Sequence, residues 1–124
     1  MTAKRIRVLH VDDNADARAL LSILLSLEED LEEVGSHHDA EGLEELVRKT
    51  SPDVLVIDLT MPGKDPVEAI RQVRAEFPAL RIVVMSGSID PKLLARARAA
   101  GASELALKAC DISETLAVIR GTGR

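Results

Sequence analysis

The chain has 124 residues, 46% hydrophobic and 30% charged, with a formal net charge of −5. That length suits one globular domain with a core of its own, and the acidic balance excludes a general nucleic-acid-binding surface. Cys110 is the lone cysteine and Phe77 the lone aromatic residue, so an internal disulfide is excluded and the core must be aliphatic. Ile6 to Val11 is a short β-rich run. Asn14 to Leu27 follows with Leu20, Leu21, Leu24 and Leu27 at helical spacing. Leu31 to Ser36 is a weaker strand candidate, and Asp39 is placed to cap a helix carrying Leu43, Leu46 and Val47 on one stripe. Asp53 to Ile57 reads as a strand apolar on both faces, and Met61-Pro62-Gly63 as a loop. Val67, Ile70, Val73 and Phe77 mark a third helix, stopped by Pro78. Leu80 to Met85 is a second two-faced strand. Asp90-Pro91 is a cap followed by a proline in the first helical position, and Gly101 ends that helix. Leu105 to Leu107 forms a last strand, and Asp111 with Glu114 makes a capping-box-like pair ahead of Leu116 and Ile119.

Five strands and five helices in strict alternation imply right-handed crossovers and a parallel sheet covered on both faces. In such sheets ligands sit beyond the carboxyl ends of the strands. Chemistry-bearing residues stand at those ends: Asp12-Asp13 after the first strand, Asp58 after the third, Ser86-Gly87-Ser88 after the fourth and Lys108 after the fifth. Three gathered carboxylates repel one another, and a hard divalent cation such as Mg²⁺ relieves that cost. The Lys108 ammonium is a second relief. A lysine and a hydroxyl beside a metal-bound carboxylate are also what phosphoryl transfer requires, and the carboxylate can be the nucleophile. Singly, each residue has a plainer reading: a helix cap for Asp12-Asp13, a turn residue for Asp58 or Ser86, a solvated cation for Lys108. Their joint placement at strand ends carries the functional one. His10 reads as a satisfied core histidine, and His37 and His38 as loop residues without a partner. The acid-rich 28–45 region reads as a solvated face. No secretory segment or membrane span is visible, which points to a cytoplasmic protein.

The stretches Val8-Leu9-His10-Val11-Asp12-Asp13, Pro52 to Gly63, Val84-Met85-Ser86-Gly87 and Gly101-Ala102 followed by Lys108 resemble the receiver domain of two-component response regulators, over nearly the whole chain. The resemblance implies a three-layer, flavodoxin-like doubly wound α/β fold, with five parallel strands in the order 2-1-3-4-5 and five helices. It implies that Asp58 accepts a phosphoryl group from a histidine kinase or histidine phosphotransfer protein. Asp13, Asp58 and the main-chain carbonyl of Thr60 would bind Mg²⁺ (or Mn²⁺), Asp12 would hold it through water, and Ser86 and Lys108 would contact the phosphoryl oxygens. Residues 1–124 are then one receiver domain without an output domain, not an enzyme acting on a separate substrate, and without direct nucleic-acid or membrane contact. A homodimer through the fourth helix, last strand and fifth helix is one implied assembly.

Three positions depart from the family pattern. Ala109 stands where proline usually follows the site lysine, Leu105 where a tyrosine or phenylalanine usually serves as a switch, and Asp65-Pro66 where Asp-Gly is usual. The metal and phosphoryl residues survive these changes; the serine–aromatic relay does not. The alternative reading is a pseudo-receiver, an interaction module not regulated by phosphorylation. A small hydrolase working through an aspartyl phosphate is a further one, poorly served by Thr60 two residues past the nucleophile, where that class has a second carboxylate.

Overall fold

The computed structural model describes residues 4–87, 90–107 and 112–121. Ten elements alternate: β1 (Ile6–Val11), α1 (Ala15–Ser26), β2 (Leu31–His37), α2 (Leu43–Thr50), β3 (Val54–Asp58), α3 (Pro66–Glu76), β4 (Arg81–Ser86), α4 (Pro91–Ala100), β5 (Glu104–Leu107) and α5 (Ile112–Arg120). The strands form one sheet in the order β2-β1-β3-β4-β5, and every pair is parallel. The flavodoxin-like order expected from the resemblance is therefore present.

Strand residues alternate between two cores, as the two-residue period of a strand requires. Leu9, Val11, Leu55, Ile57, Ile82 and Val84 face α2, α3 and α4, and meet Leu43, Val47, Ile70, Val73 and Ala97. Val8, Val54, Val56, Val83 and Ala106 face α1 and α5, and meet Leu25, Leu116 and Ile119. Both faces of β3 are thus apolar from Val54 to Ile57, which is why this strand reads as a continuous hydrophobic run.

Local chemistry sets the helix starts. Asn14 Oδ1 accepts a hydrogen bond from Ala17 N at 2.9 Å. Asp65 Oδ1 accepts from Val67 N at 2.9 Å and Asp90 Oδ1 from Lys92 N at 3.0 Å, each ahead of a proline whose fixed φ suits the first turn. Gly101, at φ 126°, closes α4, and a Cβ there would lie 2.6 Å from Arg74 Cγ, so both conformation and space require glycine.

Two expectations are corrected. Asp39 does not cap α2. Its Oδ1 accepts from Glu41 N at 3.1 Å, and the helix starts instead from Gly42 at φ 67° without a side-chain cap, because a left-handed residue turns the chain into the helix before Asp39 can reach its first amides. The stripe drawn through Leu20, Leu21, Leu24 and Leu27 misses the residue that anchors α1. Leu25 is fully buried, whereas Leu20 and Leu27 are 52% and 71% exposed. Leucines occupy nearly every side of this helix, so spacing alone could not select its inner face. The capping pair expected from Asp111 and Glu114 includes a residue outside the described ones.

Candidate functional site

In a parallel sheet the register fixes which strand-end residues share a level. Val11 lies opposite Ile57, so the next residues, Asp12 and Asp58, leave the sheet side by side. Asp58 lies opposite Met85, which puts Ser86 one step further on the adjacent strand. Carboxylate oxygens of Asp12, Asp13 and Asp58 lie within 4.8 Å of one another. Asp12 and Asp58 are buried and Asp13 is exposed. Three acidic groups at such spacing repel, and two of them have little water to screen that repulsion. A carboxylate set open to solvent on one side fits a hard cation with oxygen ligands.

Backbone donors orient the pair. Asp12 Oδ1 accepts from Asn14 N at 3.0 Å, and Arg18 Nη1 donates to the Asp12 carbonyl at 2.6 Å. Asp58 Oδ1 accepts from both the amide and the hydroxyl of Thr60, each at 2.9 Å. Ser86 is fully buried at the end of β4. Lys108 and Ala109 lie outside the described residues. Of the residues expected at the site, Asp12, Asp13, Asp58, Thr60 and Ser86 are therefore placed at one edge, three of them in direct convergence. Sequence reasoning missed Arg18. Its signal was available, since the first turn of α1 follows directly from the Asp12-Asp13 strand end.

The histidines divide differently from expectation. His10 is buried, with Nε2 2.5 Å from Glu33 Oε2, and Ser22 Oγ donates to the same carboxylate oxygen. Among the described residues Nδ1 of His10 has no hydrogen-bond partner, so within them the ring is satisfied at one nitrogen. His37 and His38 do have a partner: both Nε2 atoms face Asp39, at 3.2 and 3.4 Å. Away from the site, Leu105 is half-buried against the α2–α3–α4 core. A hollow of about 70 Å³ adjoins it, walled by Val84, Leu94, Arg98, Ala102 and Glu104.

The profile of the response regulator receiver domain matches residues 8–120. A protein-glutamate methylesterase/protein-glutamine glutaminase of Myxococcus xanthus is 45% identical over 104 residues, 83% of this chain and 30% of that protein. The response regulator protein VraR of Staphylococcus saprophyticus is 32% identical over 117 residues, 94% of this chain and 56% of that protein. The chain thus spans little more than half the length of VraR and under a third of the methylesterase. Among solved structures, the response regulator domain of Thermotoga maritima CheB is 26% identical with a TM-score of 0.85, covering 97% of each chain. The signal receiver domain of the putative response regulator NarL from Mycobacterium tuberculosis is 27% identical with a TM-score of 0.84, covering 96% of this chain and 99% of that one. The matched span contains every strand end that forms the acidic site, and the chain belongs to the response regulator receiver domain family.

Proposed function

We propose that this receiver domain is a phosphorylation switch whose acceptor is Asp58. The observation that carries the reading is the convergence of Asp12, Asp13 and Asp58 at the carboxyl edge of the sheet. One oxygen of Asp58 is held by the amide and hydroxyl of Thr60, which orients the carboxylate at the strand end. A histidine kinase or histidine phosphotransfer protein supplies the phosphoryl group. The new bond is carboxylate oxygen to phosphorus, the bond broken is phosphorus to imidazole nitrogen, and the electron pair leaves with the imidazole, which takes up a proton.

Asp13, Asp58 and the Thr60 carbonyl would hold Mg²⁺ or Mn²⁺, with Asp12 acting through water. Bound there, the cation would supply positive charge for the phosphoryl oxygens. Ser86 and Lys108 would give those oxygens a hydroxyl and an ammonium. The family is a signalling domain, so the output is a change of shape rather than turnover of a substrate. Among the described residues no helix is long and apolar enough to cross a membrane, in keeping with a cytoplasmic site of action. Residues 1–124 act as one receiver unit, without direct nucleic-acid contact, and α4, β5 and α5 are the face for pairing with a second copy.

Acetyl phosphate with Mg²⁺ tests this on a phosphate-affinity gel. Wild type should show a shifted band and Asp58→Asn none. A shifted band in Asp58→Asn moves the acceptor elsewhere; no shift in the wild type, from acetyl phosphate or a cognate phosphohistidine donor, leaves the pseudo-receiver reading.

A further inference from the structure

Among the described residues, the buried side-chain polar atom that stands without a hydrogen-bond partner is Nδ1 of His10. The His10 ring is 1% exposed, and its Nε2 is turned to Glu33 at 2.5 Å. Glu33 lies on β2, and β2 and β3 flank β1 on opposite sides. The two nitrogens of an imidazole point to different sides of the ring, so Nδ1 is turned away from β2, toward Val56, the residue beside His10 on β3. His10 and Val56 both line a recess of about 170 Å³ between α1, α5 and the sheet. Its walls are Leu21 and Leu24 of α1 and Leu116 of α5, and Met85 completes its floor. A cavity of about 150 Å³ with aliphatic walls takes a benzene-sized molecule. Asp12 and Asp58 close one end, and binding asks nothing of them.

We propose that this recess binds a small neutral alcohol of phenol size, with its hydroxyl on His10 Nδ1 and its hydrocarbon body between α1, α5 and Val56. The nitrogen selects the hydroxyl. A buried polar atom without a partner costs free energy, and a ligand that supplies the partner recovers it. Nδ1 is an acceptor or a donor according to the proton the ring carries, and a hydroxyl serves either because it both donates and accepts. The walls select the body. Burial of apolar surface favours a hydrocarbon, whereas an ionised group would lose its hydration there. A water at Nδ1 would find few of the further polar partners that it needs, because most of the lining is aliphatic. The site needs no phosphoryl chemistry, so it stands or falls apart from the assignment of Asp58 as acceptor.

Titration with phenol and toluene, followed by amide and imidazole-nitrogen chemical shifts, tests this. Toluene carries a methyl group where phenol carries its hydroxyl, and it is the more hydrophobic of the two. Phenol should bind saturably, perturb the amides of Leu21, Leu24, Val56 and Leu116, and move the Nδ1 resonance of His10 more than those of His37 and His38. Toluene should bind at least about tenfold more weakly. His10→Gln, whose amide can reach Glu33 but leaves nothing at the place of Nδ1, should weaken phenol at least about tenfold. A melting curve checks that the variant folds, and the two probes in wild type do not need it. Toluene binding as tightly as phenol would overturn the proposal in favour of a plain apolar hollow. Phenol that binds without moving His10 Nδ1, or that binds folded His10→Gln as tightly as wild type, would put the hydroxyl elsewhere and overturn it. Exclusion of phenol from a protein that native mass spectrometry shows as a dimer would overturn it and give the recess to a second copy. Absence of saturable binding to a monomer would end it.

Discussion

The two edges of the sheet use the same helix dipoles with opposite charges. Helices run against the strands in a parallel α/β fold, so their carboxyl ends gather at the amino edge of the sheet and their amino ends at its carboxyl edge. At the amino edge, arginines meet helix carbonyls. Arg7 donates to the carbonyls of Thr50 and Ser51 at the end of α2, at 2.6 and 3.1 Å. Arg74 donates to Leu80 and Gly101 at 2.6 and 2.8 Å. Arg81 donates to Val118 and Ile119 of α5, both at 2.7 Å. Each guanidinium satisfies carbonyls that a helix end or loop leaves over. At the carboxyl edge the side chains are carboxylates, and they crowd together. One edge is built to hold; the other is charged to bind. Stability and chemistry should therefore separate by edge when residues are replaced.

The largest separation is expected at Asp13. Asp13→Ala should weaken Mg²⁺ binding at least tenfold by calorimetry, while the metal-free protein loses no stability and gains up to about 1 kcal/mol from the relieved repulsion. Equal Mg²⁺ affinity in both proteins would remove Asp13 from the metal site. Arg74→Ala should do the reverse. It removes charge-assisted hydrogen bonds to part-buried carbonyls and should cost about 2–3 kcal/mol in urea unfolding, with Mg²⁺ affinity unchanged. A loss of Mg²⁺ binding without a loss of stability would break the division between edges.

A smaller effect concerns how far the acidic edge reaches. Leu105 has no ring to swing inward on phosphorylation, and the hollow beside it is walled by Leu94 and Arg98 of α4. A ligand shifts an equilibrium only by its differential affinity for the two states. Beryllofluoride with Mg²⁺ should therefore move amide signals at Asp58 to Thr60 and Ser86 to Asp90 much more than those of 94–100 and 115–120. Comparable shifts on α4 and α5 would reveal another relay. The smallest effect lies at Arg120, whose Nε and Nη2 reach Asp30 at 2.7 and 2.9 Å. Those hydrogen bonds hold the Asp30 carboxyl below its ordinary 3.8. A depressed carboxyl pKa adds stability above the unfolded value, and that stability is lost as pH falls through the folded one. The gap between wild type and Arg120→Ala in acid unfolding should thus narrow below about pH 3.8, slightly, because Asp30 is exposed. A gap that is constant with pH would mean that Arg120 acts through packing alone.

Much of this was legible in the sequence, for physical reasons. Two-faced apolar strands announced a parallel sheet, and the carboxyl-end rule then placed Asp12, Asp13, Asp58 and Ser86 at one edge. The cap of α4 by Asp90 was equally local. What stayed hidden depends on the local backbone conformation or on partners distant in the chain. Asp39 has the composition of a cap but not the geometry, since Gly42 turns the chain first. Leu25 could not be told from its leucine neighbours until α5 and the sheet were in place. Arg74 looks like any solvated arginine, yet it reaches Gly101 across 27 residues. The pairing of His37 and His38 with Asp39 needed the end of β2 to be fixed.

The central claim is that the acidic edge delivers a phosphoryl group to one carboxylate, and trapping that bond tests it most directly. Borohydride reduces an aspartyl phosphate to homoserine, which peptide mass spectrometry locates. After acetyl phosphate and Mg²⁺, homoserine should stand at position 58, and chelation of the metal before phosphorylation should abolish it. Homoserine at position 12 or 13, or its formation at 58 without a divalent cation, would contradict the account.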